Sequence, residues 1–245
     1  VTTARLPIFP LNSVLFPGLL LPLNVFEQRY RAMMRDLDAL PEERPRRFGV
    51  VAIRDGHEVA PTAPGLPAGS LPEPGPASGF GADPMRSLYS VGCAADAATV
   101  RERPDGTYEV LATGTTRFRL LSLDASGPYL TGEVEFLEEE RGEGAGALAS
   151  GVVRAFGAYQ KRLAGAAEST LAGRAELPGE PSVLSYVVAA AAMLDTPARQ
   201  RLLQAPDTAS RLAEELRVLR AETALIGKLP SLPAVGLTQR PTSLN

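Results

Sequence analysis

Cysteine, histidine and lysine are almost missing from this sequence of 245 residues. Cys93 is the only cysteine, so no disulfide can close within the chain, which fits a reducing compartment. In SVGCAAD it lies among small residues and reads as a buried structural thiol. His57, the only histidine, sits in RDGHEV and reads as a surface turn residue. A structural zinc site takes about four such ligands, so no metal is expected. Nucleophilic catalysis needs a nucleophile, a base and an orienting group that meet. No local arrangement offers them, and the G-x-S-x-G elbow is missing. The lysines, Lys161 and Lys228, both lack the neighbours of a phosphate-binding G-x-x-x-x-G-K-[ST] loop. Gly142, Gly144 and Gly146 have the wrong spacing for a dinucleotide fingerprint and read as a flexible hinge. The expectation is a protein without catalytic residues and without a cofactor.

Long apolar runs are also lacking. The longest, Val14 to Phe26, is interrupted by Pro17, Gly18, Pro22 and Asn24 and is too short to span a bilayer. No basic segment followed by an apolar one opens the sequence, so a soluble, cytoplasmic protein is expected. The net charge of -3 gives no general attraction to nucleic acid or anionic membrane. Arginines gather at Arg29, Arg31, Arg35, Arg44, Arg46 and Arg47, but Asp36, Asp38, Glu42 and Glu43 interleave with them. That pattern reads as a mixed, solvated surface. The run Glu138-Glu139-Glu140 reads as a solvated strand end, because consecutive carboxylates on a strand do not converge.

What is present changes character near residue 140. Before it, apolar and polar residues alternate; after it, apolar residues recur at three and four. Strands followed by helices, without βαβ alternation, predict an α+β chain. Leu6 to Phe9 and Leu19 to Leu23 read as short strands, the second demoted to an edge by Pro22. Phe26, Tyr30, Met33, Met34 and Leu37 share helical spacing and predict a short helix. Phe48 to Ile53 reads as a buried strand, and Asp105-Gly106 as a two-residue hairpin turn. Phe118 and Leu120, then Leu130, Gly132, Val134 and Phe136, alternate with polar residues as half-buried strands do. Several short strands with such turns suggest a closed or nearly closed barrel, with Phe9, Val50, Val51, Phe118, Leu120, Val134 and Phe136 inside. Between Ala60 and Met85, 7 Pro and 5 Gly in 26 residues predict a flexible inserted loop. The barrel part is expected over 1–140 and a helical part over 147–228, with a polar tail over 229–245. Helices are expected to start near Pro181 and Asp207, and at Pro197 with Thr196 as N-cap. Arg211 and Glu215 are expected to pair at i,i+4 on an exposed face.

The segment Leu6 to Leu37, LPIFPLNSVLFPGLLLPLNVFEQRYRAMMRDL, closely resembles the opening of the N-terminal, substrate-binding domain of Lon proteases. The shared motif is F-P-L-x-x-x-x-F-P-G, then an apolar strand, then F-E-x-R-Y. Here it falls on Phe9, Pro10, Leu11, Phe16, Pro17 and Gly18, then Phe26, Glu27, Arg29 and Tyr30. GVVAIRDGHEV, the central strands with Gly114, Arg117 and Phe118, and the helical segment from Ser185 onward follow in family order. The resemblance implies a PUA-like β pseudo-barrel with a short helix, followed by a C-terminal helical bundle. It also implies a non-catalytic polypeptide-binding module, free of ATPase and protease domains, and an adaptor or regulator of protein turnover. The implied partners are unfolded or degron-bearing polypeptides, and a protease.

Polypeptide recognition needs exposed apolar surface or a free strand edge. The candidate surface is Leu11, Val14, Leu15, Phe16, Pro17, Leu19 and Leu20, with the groove between barrel and helices. Phe9, Phe16 and Phe26 also read as barrel filling. The alternative function is an RNA-binding PUA-like domain, by analogy of fold alone; the acidic balance argues against it.

Overall fold

The computed structural model describes residues 2–56, 75–167 and 177–227. Its strands are β1 (Thr3–Leu11), β2 (Leu20–Val25), β3 (Arg47–Ala52), β4 (Val91–Glu102), β5 (Tyr108–Asp124) and β6 (Thr131–Phe136). Its helices are α1 (Gln28–Asp38), α2 (Pro84–Ser87), α3 (Ala145–Ala167), α4 (Pro181–Ala191), α5 (Thr196–Gln204) and α6 (Thr208–Ile226). The α+β expectation holds. The strand order is β2-β5-β4-β3-β1-β6, and β5 pairs with β6 as well. Pairing therefore runs from β5 through β4, β3, β1 and β6 back to β5. Among the described strands only β1 and β3 run parallel, and β2 and α1 form the crossover between them.

β2 pairs with β5 alone among the described strands, as the proline in it requires. The Gly114 N–H donates to the Leu19 carbonyl, and Leu20 faces Thr113. In that register the backbone groups of Leu20, Pro22 and Asn24 point away from β5, so the missing N–H of Pro22 costs no ladder bond. The β4–β5 hairpin differs from the expected two-residue turn. Gly106 N–H donates to the Arg103 carbonyl and Arg103 N–H to the Thr107 carbonyl, both at 2.8 Å. The loop is thus Pro104-Asp105-Gly106, with Gly106 at positive φ (76°). Pro104 decides this, because its fixed φ suits the first corner of a three-residue loop.

The sheet is buried on both faces. Ile8, Val51, Phe118, Leu120 and Val134 form one apolar cluster. A Cβ on Gly92 would lie 2.6 Å from Phe118 Cζ and one on Gly49 2.8 Å, so both glycines make room for that ring. Phe9 and Val50 are buried too, but in a second cluster with Tyr30, Met33 and Met34 of α1. That corrects their expected place beside Phe118, since adjacent strand residues point to opposite faces. Phe136 is only partly buried. Phe26 precedes α1 and is 57% exposed, so it fills no core.

Helices α4, α5 and α6 are capped by acids. Glu180 accepts from Ser182 N at 2.5 Å and caps α4; Asp207 accepts from Ser210 N at 2.7 Å and caps α6. At α5 the cap is Asp195, which accepts from Ala198 N at 2.8 Å, rather than Thr196. The Thr196 hydroxyl instead donates to the Asn12 carbonyl at 3.1 Å. The expected glycine hinge is a packed turn. Thr208 and Ala209 donate to the carbonyls of Glu140 and Arg141, and a Cβ on Gly142 would lie 2.6 Å from Asp207 Oδ1.

Of the expected flexible loop Ala60 to Met85, residues 60–74 lie outside the described residues, as do His57, Lys228 and the tail 229–245. Residues 75–85 depart from the expectation. Phe80 is buried, and Arg29 donates to the carbonyls of Pro76 (3.2 Å) and Ser78 (2.7 Å).

Candidate functional site

The loop from Asn12 to Leu19 joins the sheet to the helices. Val14 and Phe16 sit in an apolar cluster with Tyr186 and Ala189 of α4 and Leu202 and Leu203 of α5. Phe16 and Tyr186 have ring centroids 6.1 Å apart. Leu11 and Leu15 are buried on the α1 side. Four of the seven expected contact residues, Leu11, Val14, Leu15 and Phe16, are therefore enclosed by the chain itself. The apolar loop has helices to cover it, which its sequence alone does not reveal. Pro17 and Leu19 are half-buried, and Leu20 is 66% exposed. Beside Leu20 on the outward face, Pro22 stands opposite Leu111, which is also exposed.

The groove between sheet and helices exists, with a volume of about 830 Å³. Along β5, β2 pairs as far as Thr113 and β6 begins at Phe118, and the groove lies in that gap. Thr115 and Thr116 line it, with Pro17 and Gly18 from the β2 side and Phe136 to Glu139 from the β6 side. α4 contributes Ser182, Val183 and Tyr186.

Glu139 is the polar centre of this junction, which corrects its reading as a solvated strand end. It accepts from Arg211 Nη1 at 2.9 Å and from the Thr208 hydroxyl at 2.7 Å. It also pairs with Arg117 Nη2 at 3.1 Å and accepts from the Tyr186 hydroxyl. Arg117 further donates to the carbonyls of Leu203 (3.0 Å) and Ala205 (2.6 Å). Arg211 is wholly buried and lies 4.0 Å from the Tyr186 ring centroid. Burial opposes ionisation of Glu139, but the bonds from Arg211 and Tyr186 outweigh it and hold the carboxyl below its ordinary range. Burial first, and Glu139 beside it, push the Tyr186 phenol up.

Glu215, expected in an exposed pair with Arg211, is buried instead. Arg211 spends its guanidinium on Glu139, Ser185 and the Leu202 carbonyl. Neither Glu215 oxygen has a hydrogen-bond partner among the described residues. Burial pushes its carboxyl up to about 9, with Arg211 pulling weakly the other way.

The arginine cluster does not form one open basic face. Arg29 is buried and bonded as described, Arg47 pairs with Asp96 at 2.6 Å and Arg46 with Asp38 at 3.4 Å. Cys93 is buried, and burial raises its thiol to about 12, which keeps it protonated and inert. Among the described residues no group of three His, Cys, Asp or Glu could hold a metal, and no helix is long and apolar enough to cross a membrane. Sequence reading missed the Glu139 junction because neighbouring Glu138 and Glu140 look identical to it in sequence.

A model of the ATP-dependent protease La (LON) substrate-binding domain matches residues 5–221. Lon protease 2 of Syntrophobacter fumaroxidans is 29% identical over 215 residues, covering 85% of this chain and 23% of that protein. Lon protease 2 of Myxococcus xanthus is 26% identical over 232 residues, 90% of this chain and 24% of that protein. The chain thus spans about a quarter of the length of these relatives. The crystal structure of a Lon N-terminal domain protein from Xanthomonas campestris aligns with a TM-score of 0.52 at 22% identity, covering 93% of this chain and 99% of that one. The N-terminal domain of Mycobacterium avium complex Lon protease aligns at 0.53 and 19% identity, covering 90% and 98%. At such identities the two structures speak to the fold alone.

Proposed function

The chain belongs to the ATP-dependent protease La (LON) substrate-binding domain family, and from that premise we propose that it is a non-catalytic polypeptide-recognition module. Its closed sheet is a PUA-like pseudo-barrel over 1–140, and its helices over 147–228 are a bundle docked on it. It takes unfolded or degron-bearing polypeptides, acts as an adaptor or regulator of protein turnover, and hands them to a protease. The observation that carries this reading is apolar surface left in the open. Leu20 is 66% exposed on edge strand β2, beside Pro22 and Leu111. Exposed apolar surface of this kind serves binding. The contact residues are Leu20, Leu19 and Pro17. Leu11, Val14, Leu15 and Phe16 act from beneath, by fixing the loop against the sheet and helices.

The test is titration of a permanently unfolded, labelled polypeptide with the wild-type chain and with Leu20→Ser/Leu111→Ser. Both positions are exposed, so the fold should tolerate the change. Saturable binding that weakens about tenfold in the variant supports the reading. Absence of binding by the wild-type chain overturns it.

A further inference from the structure

The groove between β5 and α4 has a chemistry unlike that of the β2 face. One wall is apolar: Val183 is 47% exposed at its edge, with Pro17, Phe136 and Leu137 half-buried around it. The other wall carries the carboxylates of Glu135, Glu138 and Glu139. Arg117, the only cation that lines it among the described residues, is 3% exposed and bound to Glu139 and two carbonyls, so it presents no positive charge to a visitor. Glu135 is paired with Arg119 at 2.8 Å, whereas Glu138 is exposed and has no ion-pair partner among the described residues. Thr116 adds a hydroxyl, while those of Thr115 and Ser182 already donate to the Ala94 carbonyl and to Glu180 and remain only as acceptors. The volume of about 830 Å³ admits several side chains.

We propose that this groove is a second, charge-selective subsite that takes an extended peptide segment in which arginine or lysine alternates with apolar residues. The apolar side chains lie against Val183, Phe136 and Leu137, and a cationic side chain reaches Glu138. Glu138 then gains the partner it lacks within the chain, in a wall where a second negative charge would be repelled. An anionic segment is disfavoured by Glu138 alone, because Glu135 and Glu139 are already paired with arginines. This assignment rests on the polypeptide-binding reading and adds a preference of sign to it.

The experiment is fluorescence anisotropy with the whole chain and three labelled peptides that alternate leucine with arginine, with glutamate or with serine. The arginine peptide is expected to bind about tenfold more tightly than the glutamate peptide, and its advantage to shrink as salt rises. Glu138→Lys should abolish that preference and Val183→Asp should weaken the arginine peptide. Glu102→Lys, a matched charge reversal at the far end of β4, should retain the preference. Thermal melts of each variant establish that it is folded. Equal affinity for the arginine and glutamate peptides, or a preference that survives Glu138→Lys, overturns the groove assignment. If an unfolded neutral polypeptide still binds in that case, only the groove falls; if no peptide and no unfolded polypeptide binds, the module reading falls with it.

Discussion

Arg211 Nη1 lies 2.9 Å from Glu139 Oε1, across 72 positions of sequence, and so ties α6 to the strand end that follows β6. Arg117 of β5 converges on the same carboxylate at 3.1 Å. Sheet and helices thus meet at one acid that pairs with two buried guanidinium groups. The groove opens directly beside it, so its shape depends on this junction.

Removing the acid leaves two buried cations without their counter-charge. Glu139→Ala should therefore destabilise the chain by about 3–5 kcal/mol. The folded chain holds Glu139 below its ordinary range, against the pull of burial. Its stabilising contribution is accordingly full above the unfolded value of 4.5 and is lost as pH falls through the lower folded value. Urea unfolding of wild type and variant should converge as the pH falls below 4.5. A constant gap down to pH 2 would contradict the assignment.

Glu215 has the opposite sign. Its carboxyl is raised to about 9 by burial, so it is neutral in the folded chain at pH 7 and ionised in the unfolded one. Stability is undiminished below 4.5 and falls as pH rises towards about 9. The slope reaches about 1.4 kcal/mol per pH unit within that window. Glu215→Gln should remove the slope and gain on the wild type with each step from pH 6 to 9. Parallel stability curves would refute a buried, neutral Glu215.

Phe118 fills the space that Gly49 and Gly92 leave open. Phe118→Ala should cost about 3–5 kcal/mol, the usual range for a fully buried aromatic ring. Gly92→Ala should also destabilise, because its methyl would meet both the ring and the Val50 carbonyl, the latter at 2.4 Å. Denaturant midpoints for the two variants check both statements. A double variant less impaired than the sum of the singles would locate the clash at the ring.

Arg29 fastens the segment around Phe80. Its guanidinium holds the carbonyls of Pro76 and Ser78 and lies 5.5 Å from the Phe80 ring centroid. Lysine keeps the charge but not the planar fork. Arg29→Lys should cost about 1.5–3 kcal/mol and speed amide exchange in residues 77–80. Unchanged exchange there would show that the segment is held by other contacts.

The fold was legible where period and punctuation agree. Alternation at Phe118, Leu120 and Val134, the proline of β2, and the starts at Pro181 and Asp207 all have local physical causes, and the structure follows them. The errors concern partners distant in sequence. Nothing within ten residues of Glu139 shows that Arg117 and Arg211 will reach it. Val14 and Phe16 fall within the candidate contact surface because α4 and α5, which cover them, begin 165 or more positions away. Phe26 misled for the converse reason: its helical spacing is right, but α1 starts two residues later and leaves the ring outside. Of the expected contact surface, the exposed end at Leu20 was readable and its enclosed beginning was not.

The central claim is recognition without chemistry, and one measurement addresses it directly. Purified chain is incubated with a permanently unfolded polypeptide, with and without ATP and magnesium. Bound fraction and intact substrate mass are then followed on the same samples. The account predicts saturable binding, unaffected by nucleotide, with the substrate mass unchanged and binding weakened in Leu20→Ser/Leu111→Ser. Fragments that persist through repurification and vanish on a single substitution in this chain would contradict it.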